Sequence, residues 1–206
     1  MPTRVVTLSH ASGAGGETIG RSVAQQLGFR YLDEEIIELA AQGEGLDVAV
    51  VADAERRKSF LERLFAGLAE PDGSVAMLTP EAVMTRGEIV RPVIVEAIHA
   101  VAGRGQAVIV SHAASIPLAG RPDVLRVLVT ASADTRAQRV VRDGRSEASD
   151  AARFIRDNDA GRADYFRRFY GIDRELSTHY DLVISTDVLS AEEAADIVVA
   201  AARRRA

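Results

Sequence analysis

The sequence predicts an α/β fold in which a parallel sheet is covered by helices on both faces. Short apolar segments rich in β-branched residues alternate with longer segments whose apolar residues recur at helical spacing. The apolar segments are of the kind found inside parallel sheets, where both faces of a strand are buried. The length of 206 residues suits one domain, or one domain with a small insertion.

The alternation can be followed almost from end to end. Strands are predicted at residues 4–9, 29–32, 107–111, 125–130 and 182–185. Helices are predicted at residues 17–27, 34–41, 53–68, 88–101, 133–142, 150–170 and 191–203. Gly28 and Gly103 are expected to end helices, and Asp33 and Ser190 to cap helix starts, with Glu193 completing a capping box.

Residues 44–88 break this rhythm. They contain the amphipathic segment 53–68 and a loop-like segment, 70–79, with Pro71 and Gly73. We interpret 44–88 as a helical insertion within a single domain that spans residues 1–206. The polar connection at 143–150 is expected to act as a short lid.

The composition excludes several classes of protein. There is no cysteine, so disulfides, thiolate catalysis and cysteine-ligated zinc are excluded. No apolar run approaches the roughly 18 residues of a membrane helix, and the N-terminus lacks the pattern of a signal peptide. The net charge of −5 argues against a nucleic-acid binder. We therefore expect a cytoplasmic protein that acts on small molecules, with no membrane or nucleic-acid partner.

A glycine-rich turn between the first strand and the first helix is the main candidate site. Glycines let the backbone approach an anion, and the helix start adds the positive end of its dipole. The candidate phosphate-binding residues are Ser12, Gly13, Ala14, Gly15, Gly16, Glu17 and Thr18.

Three interpretations of this turn compete. A dinucleotide-binding G-x-G-x-x-G fails, because Thr18 stands where the third glycine belongs. A P-loop, G-x-x-x-x-G-K-[ST], fits in shape, but Gly16 or Glu17 occupies the place of the lysine, and the chain has only one lysine, Lys58. Arg21, one turn into the helix, is a candidate substitute. The third interpretation is a tight turn without a ligand.

Several segments, in order, resemble the cytidylate kinase-like family, a branch of the nucleoside monophosphate kinases with the P-loop NTPase fold. They are SGAGGETIGRSVAQQLGFRYLDEEIIELAA, VLVTASADTRAQRV and DNDAGRADYFRRFYG. The resemblance covers nearly the whole chain and implies nucleotide substrates, with ATP and Mg²⁺ as the phosphate donor. It also implies that the insertion at 44–88 is a lobe that binds the nucleoside monophosphate.

The resemblance also implies roles for residues. Asp159 and Arg162 are expected to contact the acceptor nucleotide, and Arg136 to lie near the phosphates. Arg136 and Arg139 share a helix face, and the planar guanidinium suits phosphate oxygens. The candidate catalytic residues are Arg136, Arg139 and Arg162, and the candidate acceptor-binding residues are Asp33, His112 and Asp159.

Some of these residues have simpler explanations. Asp33 is equally explained as a helix cap, and Asp159 with Arg162 as a surface ion pair. His112 stands where cytidylate kinases usually carry an arginine, so it is either a weaker acceptor ligand or a histidine at a strand end. No cluster of acidic residues and histidines predicts a dedicated metal site, and Thr18 is the loop hydroxyl best placed to help a Mg²⁺ ion carried with ATP.

These observations favour a phosphotransferase that moves the γ-phosphoryl of ATP to a nucleoside monophosphate, with CMP as the expected acceptor. The absent lysine and Glu17 favour an alternative, a regulatory or scaffold protein that binds nucleotides without turnover and has a homodimer or partner surface. A kinase for another small acceptor is a third hypothesis.

Overall fold

The computed structural model describes residues 1–33, 92, 94–110 and 113–204. The chain divides into two compact units, one formed by residues 1–34 with 98–206 and the other by residues 35–97. The first unit contains the whole sheet and the glycine-rich turn. The predicted insertion at 44–88, the helices predicted at 34–41 and 53–68, and His112 lie outside the described residues.

Five parallel strands form one sheet, which confirms the predicted fold class. The strands are β1 (Val5–His10), β2 (Arg30–Leu32), β3 (Ala107–Ile109), β4 (Val124–Thr130) and β5 (Leu182–Ser185). Their order is β2-β3-β1-β4-β5, and every pair is parallel. The strand β1 is therefore central, and the loop that follows it lies at the carboxyl edge of the sheet, where ligands of open α/β sheets bind.

The described helices follow the predicted order. They are α1 (Gly16–Leu27), α2 (Ala133–Arg142), α3 (Ala151–Tyr170) and α4 (Ala191–Arg204), with a further helix at residues 94–104 and one 3-10 turn at Ser177–His179. Gly28 ends α1 with a φ of 68°, as predicted.

The cap of α4 is also confirmed, because Ser190 and Glu193 exchange side-chain to backbone hydrogen bonds of 2.9 and 3.2 Å. The end predicted at Gly103 is wrong. Helical residues continue to 104, and the left-handed turn falls on Gly105, whose φ is 71°.

The side chains of β1 point alternately to the two faces of the sheet, and only those on one face pack against α1. Val6 and Leu8 belong to the core cluster that includes Ile19 and Val23 of α1. Successive side chains of a strand point to opposite faces, so His10 lies on the α1 side of the sheet, and Ser9 on the other. This alternation brings two polar side chains to the start of the glycine loop from opposite faces.

Gly20 tests how tightly α1 packs on the sheet. A Cβ at Gly20 would lie 2.5 Å from Cγ2 of Val110, so we expect Gly20→Ala to lower the free energy of unfolding by about 1–3 kcal/mol through overpacking. Gly103→Ala is the matched control, because nothing lies within 4 Å of a Cβ there, and alanine is expected to stabilise a helix by up to about 1 kcal/mol. Urea denaturation measures both. Equal effects at the two positions would contradict the packing.

Candidate functional site

The loop between β1 and α1 is held in a conformation that requires glycine. Gly13 and Gly15 have φ values of 81° and 83°, in the left-handed region that side chains disfavour. A Cβ at Gly13 would also lie 2.8 Å from the carbonyl oxygen of Arg136. The Ala14 N–H donates back to the Ala11 oxygen at 3.0 Å, which closes the turn.

The helix that follows has no side-chain cap. Gly15 is its N-cap residue and supplies no side-chain hydrogen bond. The Ile19 N–H donates to the Gly15 oxygen at 3.1 Å, so the preceding amides, those of Gly16, Glu17 and Thr18, have no acceptor within α1. An uncapped helix start of this kind is suited to anionic oxygen.

A cavity of about 420 Å³ lies open beside these amides. Arg139, Arg142 and Arg145 line it on the α2 side. The other lining residues are His10, Gly13, Ala14, Gly15, Glu17, Thr18, Ile19, Asp143, Thr186, Leu189, Ser190 and Ala191. Five of the predicted phosphate-binding residues are in this set, whereas Ser12 and Gly16 are not. Glu17 is exposed and leaves the cavity open.

Arg136 is buried and bound to Asp159. Its two terminal nitrogens donate to the two carboxylate oxygens of Asp159 at 2.8 Å each. Its Nε donates to the Ala131 oxygen at 3.1 Å, and Nη1 also lies 3.5 Å from the Ser12 oxygen. The side chain of Arg136 is 8% exposed and that of Asp159 44%. The structure thus joins two predicted site residues that are far apart in the sequence.

Arg139 connects the loop to the segment after β5. It donates to Oγ1 of Thr186 at 2.8 Å and to the Thr186 carbonyl oxygen at 2.5 Å. The Thr186 hydroxyl in turn donates to the Ala14 oxygen at 3.0 Å, and Arg139 lies 3.4 Å from the Gly13 oxygen. Arg139 also lines the cavity, so it contacts both the glycine loop and the space beside it.

Arg162 is held at the end of β1. It donates to Oγ of Ser9 at 2.6 Å and to the His10 oxygen at 3.1 Å. A bidentate pair with Glu175, at 2.8 Å for each bond, completes its contacts. Burial opposes the charge, but the hydrogen bond and charge of Glu175 raise the pKa of Arg162.

Tyr180 donates a hydrogen bond to the same carboxylate of Glu175. Burial, followed by the charge of Glu175, raises the pKa of the Tyr180 phenol. The phenol therefore stays protonated at neutral pH and remains a donor. Arg162, Glu175 and Tyr180 form one connected group.

A second cavity, of about 320 Å³, is lined by Arg162 and Glu175 of this group and by the Arg136–Asp159 pair. It brings together Asp159 and Arg162, which the sequence assigns to the acceptor. The surface ion pair considered between them does not form. Asp159 pairs with Arg136, and Arg162 with Glu175.

Two other predicted residues are not among those that line the two cavities. Asp33 follows β2. Burial of the Tyr31 phenol, together with the negative charge of Asp33, raises the pKa of Tyr31 to about 12. Arg21, the candidate lysine substitute, stacks on the Tyr31 ring with its guanidinium carbon 4.3 Å from the ring centroid. Arg21 therefore contacts β2 and is not among the residues that line the cavity beside the loop.

Several side chains of the site are not predicted from the sequence. Glu175 and Thr186 were not singled out, because nothing local shows that they meet Arg162 and Arg139. Arg142 and Arg145 share the helix and turn that carry Arg139, and this proximity was a usable signal. His10 is absent from the residues that the sequence predicts for the site, although its polar ring follows an apolar run.

The part of the chain that the structure describes contains no group of three or more histidine and acidic side chains able to hold a metal ion. Among its helices, none has both the length and the apolar character needed to cross a bilayer.

Comparison with known proteins agrees with this geometry. The sequence matches the model of the cytidylate kinase-like family over residues 5–188. It is 26% identical over 198 residues to a cytidylate kinase of Methanocorpusculum labreanum, covering 95% of this chain and 94% of that protein.

Solved structures show the same fold at low identity. An uncharacterised protein from Eubacterium ventriosum superposes with a TM-score of 0.66 at 15% identity, covering 97% of this chain and 98% of the other. A shikimate kinase from Acinetobacter baumannii, in complex with shikimate, gives 0.52 at 16%, covering 96% and 91%. The parallel sheet, the glycine loop at its carboxyl edge and the match over residues 5–188 lead to one conclusion: the chain belongs to the cytidylate kinase-like family and has a P-loop α/β fold.

Proposed function

We propose that this protein transfers the γ-phosphoryl group of ATP to a nucleoside monophosphate, with CMP as the acceptor. The observation that carries the proposal is the open cavity at the uncapped start of α1, faced by Arg139, Arg142 and Arg145. Amides and guanidinium groups that converge on one space suit a polyphosphate. The family match supports a nucleotide kinase in general, and the choice of CMP rests on the cytidylate kinase relative.

The donor would occupy the larger cavity. The amides at Gly15–Thr18 would bind its phosphates, and Arg139 would neutralise the group being transferred. Leu189 and Ala191 line the same cavity and offer an apolar surface to a base. Arg145 belongs to the segment 143–150, which we propose as a lid that excludes water when it closes over the donor.

The acceptor would occupy the smaller cavity, where Asp159, Arg162 and Phe166 meet. Arg162 would bind the acceptor phosphate beside the loop, while Asp159 would accept hydrogen bonds from the base or sugar. Arg136 is fixed by Asp159 and by backbone oxygens, so we assign it the role of positioning the loop and Asp159. Asp33 and His112 stay proposed members of the acceptor site.

The reaction then needs positioning and charge rather than a protein base. An oxygen of the acceptor phosphate attacks the γ-phosphorus, the bond to the β–γ bridging oxygen breaks, and ADP leaves. Because the attacking oxygen is already ionised, no proton has to be removed from it. Arg139 and Arg162 would balance the charge that gathers between the two nucleotides.

Magnesium fits this site only as a companion of ATP. Thr18 lines the larger cavity and is the loop hydroxyl that would approach the ion. Mg²⁺ keeps most of its waters when it binds with nucleotide phosphates, so one hydroxyl is a sufficient protein contact. When bound with ATP, the ion would supply positive charge that offsets the charge of the phosphates.

The second candidate function is a regulatory or scaffold protein that binds nucleotides without turnover. The observation in its favour is that Arg136 and Arg162 are each already paired with a carboxylate. If those pairs persist when nucleotide binds, little free positive charge remains for the acceptor. A kinase for a different small acceptor is a third candidate, consistent with the shikimate kinase fold.

A coupled assay with ATP separates these candidates. ADP formation is measured with CMP, dCMP, UMP, AMP, GMP and shikimate in turn, and the product is identified by chromatography. We expect turnover with CMP above the ATPase background. Turnover only with another acceptor would identify the third candidate. Thermal stabilisation by ATP without any turnover would support the regulatory candidate.

Arg139→Ala tests the donor site. The change removes a guanidinium that faces the cavity and holds Thr186, so kcat is expected to fall about 100-fold or more. Arg153→Ala is the matched control, because Arg153 lies on a helix surface, 67% exposed and paired with Asp150. Steady-state kinetics and thermal melts of both variants check the result. A folded Arg139→Ala enzyme with normal kcat would remove Arg139 from the mechanism.

Asp159→Asn tests the acceptor site. A charge-assisted hydrogen bond to the acceptor contributes about 1.5–3 kcal/mol, so the KM for CMP is expected to rise about tenfold or more. The KM for ATP is expected to stay within about twofold, since Asp159 does not line the donor cavity. Equal increases in both KM values would show that Asp159 acts through the shared loop instead.

A further inference from the structure

In one register of the P-loop pattern, the first glycine and the lysine are both replaced in this chain, and Glu17 stands at the Ser/Thr position. When G-x-x-x-x-G-K is laid over residues 10–16, Gly15 matches the second glycine. Gly16 then stands in place of the lysine, and His10 in place of the first glycine. Compared with the pattern, the chain has no basic side chain at one end of the loop and an imidazole at the other.

The structure shows that these two positions are in contact. A Cβ built on Gly16 would lie 2.2 Å from Cγ and 2.5 Å from Cδ2 of His10. The imidazole therefore fills the space into which any side chain at position 16 would project. A histidine at 10 and a lysine at 16 exclude each other in this loop conformation, so the two changes form one exchange.

The His10 ring also reaches the site. It lines the larger cavity together with Gly15, Thr18 and Arg139. Its Nδ1 lies 3.3 Å from the Ala11 carbonyl oxygen. Because a carbonyl can only accept, this contact assigns the proton of the neutral ring to Nδ1. The Nε2 atom, next to Cδ2, is left with a lone pair.

Charged groups on three sides act on this ring. Burial is the main influence and lowers the pKa of His10, which the Ala11 hydrogen bond partly opposes. Arg162 of α3 also lowers it, whereas Glu17 of α1 and Asp33, after β2, raise it. In the site without nucleotide the ring is therefore neutral at pH 7.

We propose that His10 replaces the P-loop lysine as a phosphate-binding residue and takes up a proton when the nucleotide binds. The inference rests on the proposed function, since it requires nucleotide phosphate at the loop. A neutral ring would direct the Nε2 lone pair at a phosphate oxygen, which repels it. Uptake of one proton from solvent converts this contact into an N–H donor to an anionic oxygen.

The sign of the pH dependence follows from this step. An adjacent phosphate raises the pKa of His10, so the bound state holds more protons than the free state. Affinity is highest below the pKa of the free site and falls as pH rises toward the pKa of the bound site. The fall is at most about tenfold per pH unit for one proton.

Calorimetric titration with MgADP tests the proposal, because ADP binds without turnover. Measurements at pH 7 in buffers of different ionisation enthalpy give the number of protons taken up. We expect net uptake by the wild type and less by His10→Gln, which keeps a polar side chain but cannot titrate. Because ADP itself titrates equally in both experiments, the difference belongs to His10. His99→Gln, an exposed histidine, is the matched control and should behave as wild type.

A motif-restoring variant guards against a trivial loss of folding. His10→Gly combined with Gly16→Lys removes the ring and supplies the lysine, so we expect MgADP binding at least as tight as wild type and with no proton uptake beyond that of His10→Gln. Gly16→Lys alone should bind at least tenfold more weakly, because the ring blocks the new side chain. If wild type binds MgADP but His10→Gln matches its affinity and proton count, His10 is not a phosphate ligand. If wild type binds no nucleotide at all, the proposed function fails as well.

Discussion

The site depends on contacts from three arginine side chains to carbonyl oxygens at the start of the glycine loop. Arg162 holds the oxygen of His10, Arg136 approaches that of Ser12, and Arg139 that of Gly13. Each contact fixes one peptide plane in a segment that glycine would otherwise leave free. A loop ordered in advance loses less conformational entropy when an anion binds. The arginines that the sequence assigns to phosphate therefore also shape the loop.

The three arginines differ in how much charge they offer to a ligand. Arg136 and Arg162 are paired with Asp159 and Glu175, whereas the partners described for Arg139 are neutral oxygens of Thr186 and Gly13. At an effective dielectric constant of about 20, a unit charge 4 Å from another contributes on the order of 4 kcal/mol. A guanidinium that pairs with no carboxylate among the described residues is thus a substantial part of what a lysine would supply at the cavity wall.

Local pattern was sufficient to predict the fold but not the pairing within the site. The strand β1, the stop at Gly28 and the cap at Ser190 follow from short-range chemistry, and the structure reproduces them. The partner of Asp159 does not follow from short-range chemistry. Helical spacing suggests Arg162, yet the carboxylate reaches Arg136, 23 residues away, because α2 and α3 pack together. Contacts between elements of this kind leave no periodic signal in a single sequence.

His10 was missed for a different reason. The spacing of the P-loop pattern already places it at the first glycine position, so the signal was present in the sequence. The sequence does not show that residues 10 and 16 are in contact. This contact links the two differences from the P-loop pattern, the histidine at position 10 and the glycine at position 16. The sequence offers Arg21, one turn into the helix, as a substitute for the lysine, whereas the structure places His10 against position 16.

The surroundings of the loop explain why a titratable group suits this exchange. A lysine keeps its charge whether or not a ligand is present, and here it would lie among guanidinium groups that already hold the loop. Arg162 lowers the pKa of His10 in this way, in addition to burial. A neutral imidazole avoids that repulsion in the free site, and its charge appears only when phosphate is there to balance it. In a loop held by arginines, a histidine that is protonated only in the bound state avoids repulsion in the free site and still supplies charge to the phosphate. A permanently charged lysine would do only the second.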